Sequence, residues 1–179
     1  MKLTYLVSAL FLAVATLSCN RNNDQDLDHG HVDNLQLISY SDGFEMFAEA
    51  TPFAVGHESE ILAHFTRLEN FKPLENGSVT ASLVVGDDTV SQTLDSPMRP
   101  GIFRFTLKPG EKGEAKLLFN VKISGKISQL TVEGITVFAD LNDAMHAAED
   151  AVITSSKGAG CTKEQSWKVE IDTEEIRKE

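Results

Sequence analysis

Apolar and polar side chains alternate along this chain in short runs, most clearly within residues 100–121, PGIFRFTLKPGEKGEAKLLFNV. Apolar side chains occupy every second position in residues 103–107 and again in residues 115–123. Because successive side chains of a strand point to opposite faces, each run has one dry face and one wet face. Pro109 and Gly110 lie between the runs and are typical of a chain reversal. We predict two strands joined as a hairpin, whose dry face needs a second sheet to cover it.

The same alternation extends over residues 35–140, where turn signals such as Asn76-Gly77 divide it into segments. A bulge or bend is predicted at Glu133 and Gly134, where a glycine interrupts an otherwise apolar and polar alternation. Short strands separated by regular turns favour a two-sheet antiparallel sandwich over a parallel fold, so the predicted fold class is all-β. Besides the central pair, strands are predicted at residues 35–40, 44–50, 59–67, 79–85, 89–94 and 127–138.

The character of the chain changes after the last predicted strand. Residues 140–152 are rich in alanine and either form a short helix or stay loose. Residues 162–171 carry Trp167, the sole tryptophan, in an apolar, strand-like setting. We predict that Trp167 contacts a partner; the alternative is that this segment folds back on its own sandwich.

The N-terminus has the features of an export signal. Lys2 is followed by an apolar run over residues 6–17, whose length suits a signal peptide better than a membrane span. The run ends in TLSC, which resembles a bacterial lipobox, the motif whose cysteine receives lipid and becomes the new N-terminus. Residues 1–18 are therefore predicted to be a lipoprotein signal peptide, and Cys19 to anchor a periplasmic protein to a membrane. The alternative is ordinary cleavage that leaves Cys19 as a free thiol.

Residues 19–34 contain few large apolar side chains and are predicted to be a flexible tether. Within it, Asp28, His29, His31 and Asp33 place two imidazoles between two carboxylates. Imidazole nitrogen is a common ligand of Zn²⁺ and Cu²⁺, so weak binding of either ion is predicted here. Fixing a mobile segment costs roughly 1–2 kcal/mol per residue, which lowers the affinity. The alternative is a solvated acidic linker that carries two histidines.

Charge and motif content narrow the function classes. The formal net charge of −11 argues against nucleic acid as a partner, because phosphates need Lys and Arg opposite them. No phosphate-binding loop, HExxH or paired-cysteine motif occurs in the sequence, and the chain is predicted not to be an enzyme. His64 is expected to be a hydrogen-bonded structural histidine of its strand. Cys161 lacks an intramolecular partner if Cys19 is acylated, which leaves a free thiol or an intermolecular disulfide.

Three stretches of the chain resemble the N-terminal region of bacterial periplasmic adaptor, or membrane-fusion, subunits. These subunits serve resistance–nodulation–division (RND) efflux pumps, mostly those that export heavy metals. The stretches are AHFTRLENFKPLENGSVTASLVVG (residues 63–86), SPMRPGIFRFTLKPGEKGEAKLLFNV (96–121) and TKEQSWKVEI (162–171).

This resemblance implies an immunoglobulin-like sandwich at residues 35–140, behind a lipoprotein signal and a histidine-bearing tether. It also implies a non-enzymatic accessory role in the export of heavy-metal cations. The expected partners are the RND pump with its outer-membrane channel, or a separate adaptor body.

In such adaptors a lipoyl module, an α-helical hairpin and a β-barrel follow the sandwich. Residues 141–179 are therefore expected to be a linker and the start of a missing adaptor body, and the chain to be a truncated adaptor or a stand-alone relative of the first domain. A competing hypothesis is a periplasmic metal-binding lipoprotein, similar to a metallochaperone, that acts independently of a pump.

Overall fold

Alternating apolar and polar side chains form the strands of this protein, which a computed structural model describes over residues 34–155 and 163–168. Apolar positions with period two place one face of each strand against the core and the other toward solvent. The strands are β1 (Leu35–Tyr40), β2 (Phe44–Ala50), β3 (Phe53–Ala54), β4 (Ser59–Arg67), β5 (Ser78–Val85), β6 (Asp88–Leu94), β7 (Ile102–Leu107), β8 (Gly113–Ile123) and β9 (Lys126–Phe138).

The strands form two sheets, with the orders β1-β2-β4-β7 and β3-β9-β8-β5-β6. All pairs are antiparallel except the short β3, which runs parallel to β9 at one edge. The predicted all-β sandwich is confirmed. The order is also that of an immunoglobulin sandwich, with β2, β4 and β7 as strands A, B and E, and with β9, β8, β5 and β6 as G, F, C and C′. Strand β1 is an addition beside strand A.

The core lies between the sheets and is dominated by phenylalanine. Phe65 on β4 contacts Phe103 on β7 and Phe119 on β8, with ring centroids 5.5 and 5.7 Å apart. Phe105 completes the cluster against Phe119 at 5.8 Å. All four rings are fully buried. Antibody domains join strands B and F by a disulfide at this level, whereas here Phe65 and Phe119 link the two sheets by edge-to-face packing.

The predicted hairpin within residues 100–121 is wrong in its pairing. Both strands exist, and their dry faces are those expected, with Phe103, Phe105 and Leu107 buried on β7. However, β7 pairs with β4 in one sheet, whereas β8 pairs with β5 and β9 in the other. The turn between β7 and β8 therefore crosses from one sheet to the other. Two strands that each have one apolar face can pair side by side, or they can lie in different sheets and pack those faces against each other across a core.

The predicted bulge at Glu133 and Gly134 is confirmed. Ala115 of β8 pairs with Ile135 of β9, but Leu117 pairs with Val132, so the register shifts between them. Two residues of β9 therefore oppose one residue of β8. Gly134 has φ +74°, a conformation that a residue without Cβ adopts freely.

Side chains close both open sides of the sandwich. The buried Ser39 hydroxyl of β1 donates to the Thr131 carbonyl of β9 at 2.8 Å and accepts from the Thr131 N–H at 3.1 Å. On the opposite side, Gln92 Oε1 of β6 accepts from the Thr106 N–H of β7 at 2.7 Å. Each bond satisfies backbone groups that the sheet ladder leaves unpaired at an edge.

Two helices follow the sandwich. Helix α1 (Leu141–Ser155) begins after Asp140, whose carboxylate accepts from the Asn142 N–H at 2.8 Å as an N-cap. The alanine-rich segment is therefore helical, which was one of its two predicted alternatives. The strand-like interpretation of residues 162–171 is wrong for the described part, since Lys163–Ser166 form a single helical turn, α2. No helix in the described ranges is long and apolar enough to cross a membrane.

We expect Ser39→Ala to destabilise the sandwich by roughly 1–3 kcal/mol, because the Thr131 N–H and C=O lose the buried Ser39 hydroxyl as their partner at a partly buried edge. Ser91→Ala is the matched control, since Ser91 is exposed and bonds only another serine hydroxyl, Ser82. Its effect should stay within about 0.5 kcal/mol. Urea unfolding of both variants measures the difference. Equal stability of the two would contradict the edge-closing role of Ser39.

Candidate functional site

The outer face of the four-stranded sheet carries a row of large side chains that crosses all of its strands. Strand register places Ile38, Phe47, His64 and Ile102 side by side on β1, β2, β4 and β7. Ile38 is 57% exposed at one end of the row, whereas Ile102 is buried at the other. Because Ile102 is buried although it lies on the outward face of the sheet, another part of the chain must cover that part of the row.

The cover is the segment of residues 163–168, called here the Trp167 segment. The Trp167 indole Nε1–H donates to Thr66 Oγ1 at 2.8 Å, and the residue is only 9% exposed. Its ring lies 6.1 Å from the His64 ring, which in turn contacts Phe47 edge-on at 5.9 Å. Trp167 therefore buries the β4 part of the row, and the β1 end stays open.

Charged contacts hold the two ends of the Trp167 segment. Lys163 Nζ lies 2.6 Å from Glu45 Oε1, and both side chains are largely buried. The same carboxylate oxygen accepts from the Tyr40 hydroxyl at 3.2 Å, and the negative charge of Glu45 raises the pKa of Tyr40. Lys72 Nζ donates to the Trp167 carbonyl at 3.4 Å. The segment is thus fixed by the Trp167 ring and, at its two ends, by the Lys163–Glu45 ion pair and the hydrogen bond from Lys72.

Gly101 makes room for the indole. A Cβ at this position would lie 2.5 Å from Trp167 Cη2 and 2.8 Å from Pro73 Cβ, well inside van der Waals contact. The backbone of Gly101 also has φ +77°, and it bonds Phe65 and Leu74 through its carbonyl and amide. Only glycine meets both the conformational and the steric requirement.

His64 is the unusual member of the site. It is 5% exposed, and neither ring nitrogen has a hydrogen-bond partner among the described residues. The expectation of a hydrogen-bonded structural histidine is therefore wrong: His64 is buried without those bonds. Burial lowers its pKa, partly offset by the carboxylates of Glu164 and Glu49, while Lys163 lowers it further. The imidazole is neutral near pH 7 for that reason.

The predicted site residues fall into two groups. Cys19, Asp28, His29, His31 and Asp33 lie outside the described residues, so lipidation and metal binding there stay predictions. Within the described ranges, no cluster of three or more His, Cys, Asp or Glu side chains is arranged to hold a metal ion.

Trp167 is packed against this chain's own sheet, which is the arrangement of the folded-back alternative. Contact between Trp167 and a partner stays a prediction. No sequence pattern identifies His64, Thr66 or Gly101 as neighbours of Trp167. No periodic signal joins residues so far apart along the chain.

A second concave feature lies beside helix α1. A cavity of about 220 Å³ opens between helix α1 and the strands, lined mainly by apolar groups including Leu37, Phe53, Ile135, Phe138 and Ala148. The small side chains of the helix leave this space beside the core. It contains no cluster of polar groups that would fix the orientation of a ligand.

No family model, no curated protein and no solved structure matches this chain. The site packs a segment of this chain on its own sheet through an aromatic anchor in a glycine-floored pocket, one buried hydrogen bond and one flanking ion pair.

We expect Gly101→Ala to displace the Trp167 segment, because the new methyl group occupies the position of the indole. The control is Gly56→Ala, since Gly56 has a similar φ of +73° but no atom within 4 Å of its Cβ position. Both variants carry the same backbone strain, so only Gly101→Ala should shift Trp167 fluorescence to longer wavelength. Equal spectra for the two variants would contradict the packing of Trp167 on Gly101.

Proposed function

We propose that this protein is a lipid-anchored periplasmic accessory domain of an RND efflux system, a non-enzymatic module that helps export heavy-metal cations. The sandwich is its rigid body, Cys19 its membrane anchor, and residues 19–34 the tether between them. Its partners are the pump and its outer-membrane channel, or a separate adaptor body. The segment after the sandwich leads toward that body.

One observation supports the proposal most. The three stretches that resemble adaptor subunits are dispersed over the sequence, yet they meet at one place in the structure. Trp167 of the third stretch bonds Thr66 of the first and packs on Gly101 of the second. A shared docking site gives a physical reason why these stretches would occur together, since the first two supply the walls of the pocket and the third supplies the indole that fills it.

The electrostatics are compatible with this role. A net charge of −11 disfavours binding to nucleic acid and favours attraction of cations toward the surface. Acyl chains on Cys19 would hold the domain at a membrane, because each buried CH₂ contributes about 0.8 kcal/mol. The domain would then act where a pump and its channel meet.

A metal-binding lipoprotein that acts without a pump is the second candidate. The observation that favours it is the sequence Asp28-His29-Gly30-His31-Val32-Asp33, with two imidazoles between carboxylates. In this case the tether is the functional element and the sandwich is its carrier.

Affinity purification of the tagged full chain from cross-linked membranes tests the first candidate. We expect pump, channel or adaptor subunits to co-purify, and Cys19→Ser to move most of the chain out of the membrane fraction. Cys161→Ser is the control and should leave the membrane fraction unchanged. Recovery of the chain alone from these membranes would overturn the efflux role.

Calorimetric titration of the full chain with Cu²⁺ and with Zn²⁺ tests the second candidate. We expect weak binding that the double substitution His29→Ala, His31→Ala abolishes. The matched control replaces His57 and His146 by Ala, since both are exposed on the sandwich and its helix. Unchanged affinity in the tether variant would remove the tether as a metal site.

A further inference from the structure

His64 is a titratable side chain enclosed by the Trp167 segment. The charged groups that act on it come from two elements: Glu49 on β2, and Glu164 and Lys163 on α2. On β7, its register neighbour is the uncharged Ile102. The site thus buries an imidazole that no hydrogen bond fixes among the described residues.

Protonation of this imidazole would place a cation under the indole. The nearest carboxylate oxygen, Glu164 Oε1, lies 3.8 Å from Nδ1, which is beyond hydrogen-bond distance, and its side chain is 43% exposed. A charge buried without hydrogen bonds is unfavourable, and removal of the cover restores its hydration. Docking of the Trp167 segment therefore favours the neutral form of His64.

We propose that the Trp167 segment is an acid-released cover: protonation of His64 detaches it and uncovers the β4 part of the row, around His64, on the outer face of the sheet. Release also frees Glu45 from Lys163. Through Phe47, the uncovered part of the row is continuous with Ile38 and its strand neighbour Tyr40, which are already 57% and 62% exposed. Acidification thereby enlarges an apolar surface on one face of the sandwich.

The pH range follows from linkage. Burial lowers the pKa of His64 in the docked form, whereas in the released form the imidazole has an ordinary pKa of about 6.5. Docking is therefore complete above that value and weakens as the pH falls from there toward the lowered pKa. Within this range one proton is taken up on release, so each pH unit changes the docking equilibrium about tenfold.

Trp167 fluorescence reports the release directly, because this chain has a single tryptophan. The full chain is titrated from pH 8 to pH 5, with emission wavelength and acrylamide quenching as readouts and far-ultraviolet circular dichroism as a check on the fold. We expect a shift to longer wavelength and stronger quenching below about pH 6.5, with the β signal retained. Emission wavelength and quenching are used because protonated histidine can alter intensity alone.

His64→Phe keeps an aromatic ring of similar size and removes the titration, so its emission should not change with pH. His57→Ala is the matched control and should titrate like the unaltered chain. Glu164→Gln should release more completely at pH 5, because it removes a charge that favours the protonated imidazole.

Several outcomes would overturn the inference: constant emission in the unaltered chain, a pH response that persists in His64→Phe, or a response that Glu164→Gln weakens. The last would mean that protonated His64 tightens docking through Glu164. A shift that coincides with loss of the β signal would indicate global unfolding and would also overturn it.

Discussion

Burial of aromatic rings between the two sheets is the interaction on which the rest of this structure depends. Phe65 contacts rings from both sheets, because Phe103 is its neighbour within one sheet and Phe119 lies across the core. Aromatic pairs of this kind contribute about 0.5–1.5 kcal/mol beyond their buried area. Phe65 also fixes β4 in the middle of its sheet, so Thr66 faces outward on the next position and can accept the indole N–H of Trp167. The inner packing thus determines the geometry of the outer site.

The sequence predicts the strands well and their pairing less well, for a physical reason. Alternation is a local property, so the dry faces of β7 and β8 can be assigned from neighbouring residues alone. A local conformational requirement likewise explains why the bulge at Gly134 could be predicted. Pairing is a long-range property: the same two dry faces suit a hairpin or two stacked sheets, and only contacts with distant strands such as β4 decide between them. The turn at Pro109 and Gly110 is compatible with both.

The outer site illustrates the same limit. The alternation of apolar and polar residues alone assigns Ile102 and His64 to the solvent-facing sides of their strands. Nothing in their immediate neighbours indicates that they are covered. The burial of His64 depends on Trp167, about a hundred residues further along the chain. The one local indication of this cover was Gly101, because a glycine is required where another group comes very close to the backbone. A glycine beside an apolar strand can therefore mark where a distant aromatic ring packs.

The closure of the sandwich sides by Ser39 and Gln92 has a consequence for how other chains can associate with this one. An open sheet edge is a template on which a foreign strand can pair, and it leads to aggregation or strand exchange unless it is protected. Here a serine hydroxyl occupies both backbone groups of Thr131, and an amide oxygen occupies that of Thr106. Strand addition at either position would first have to break these bonds. Recognition at the β1 end of the outer face of the four-stranded sheet, which the Trp167 segment leaves open, meets no such barrier.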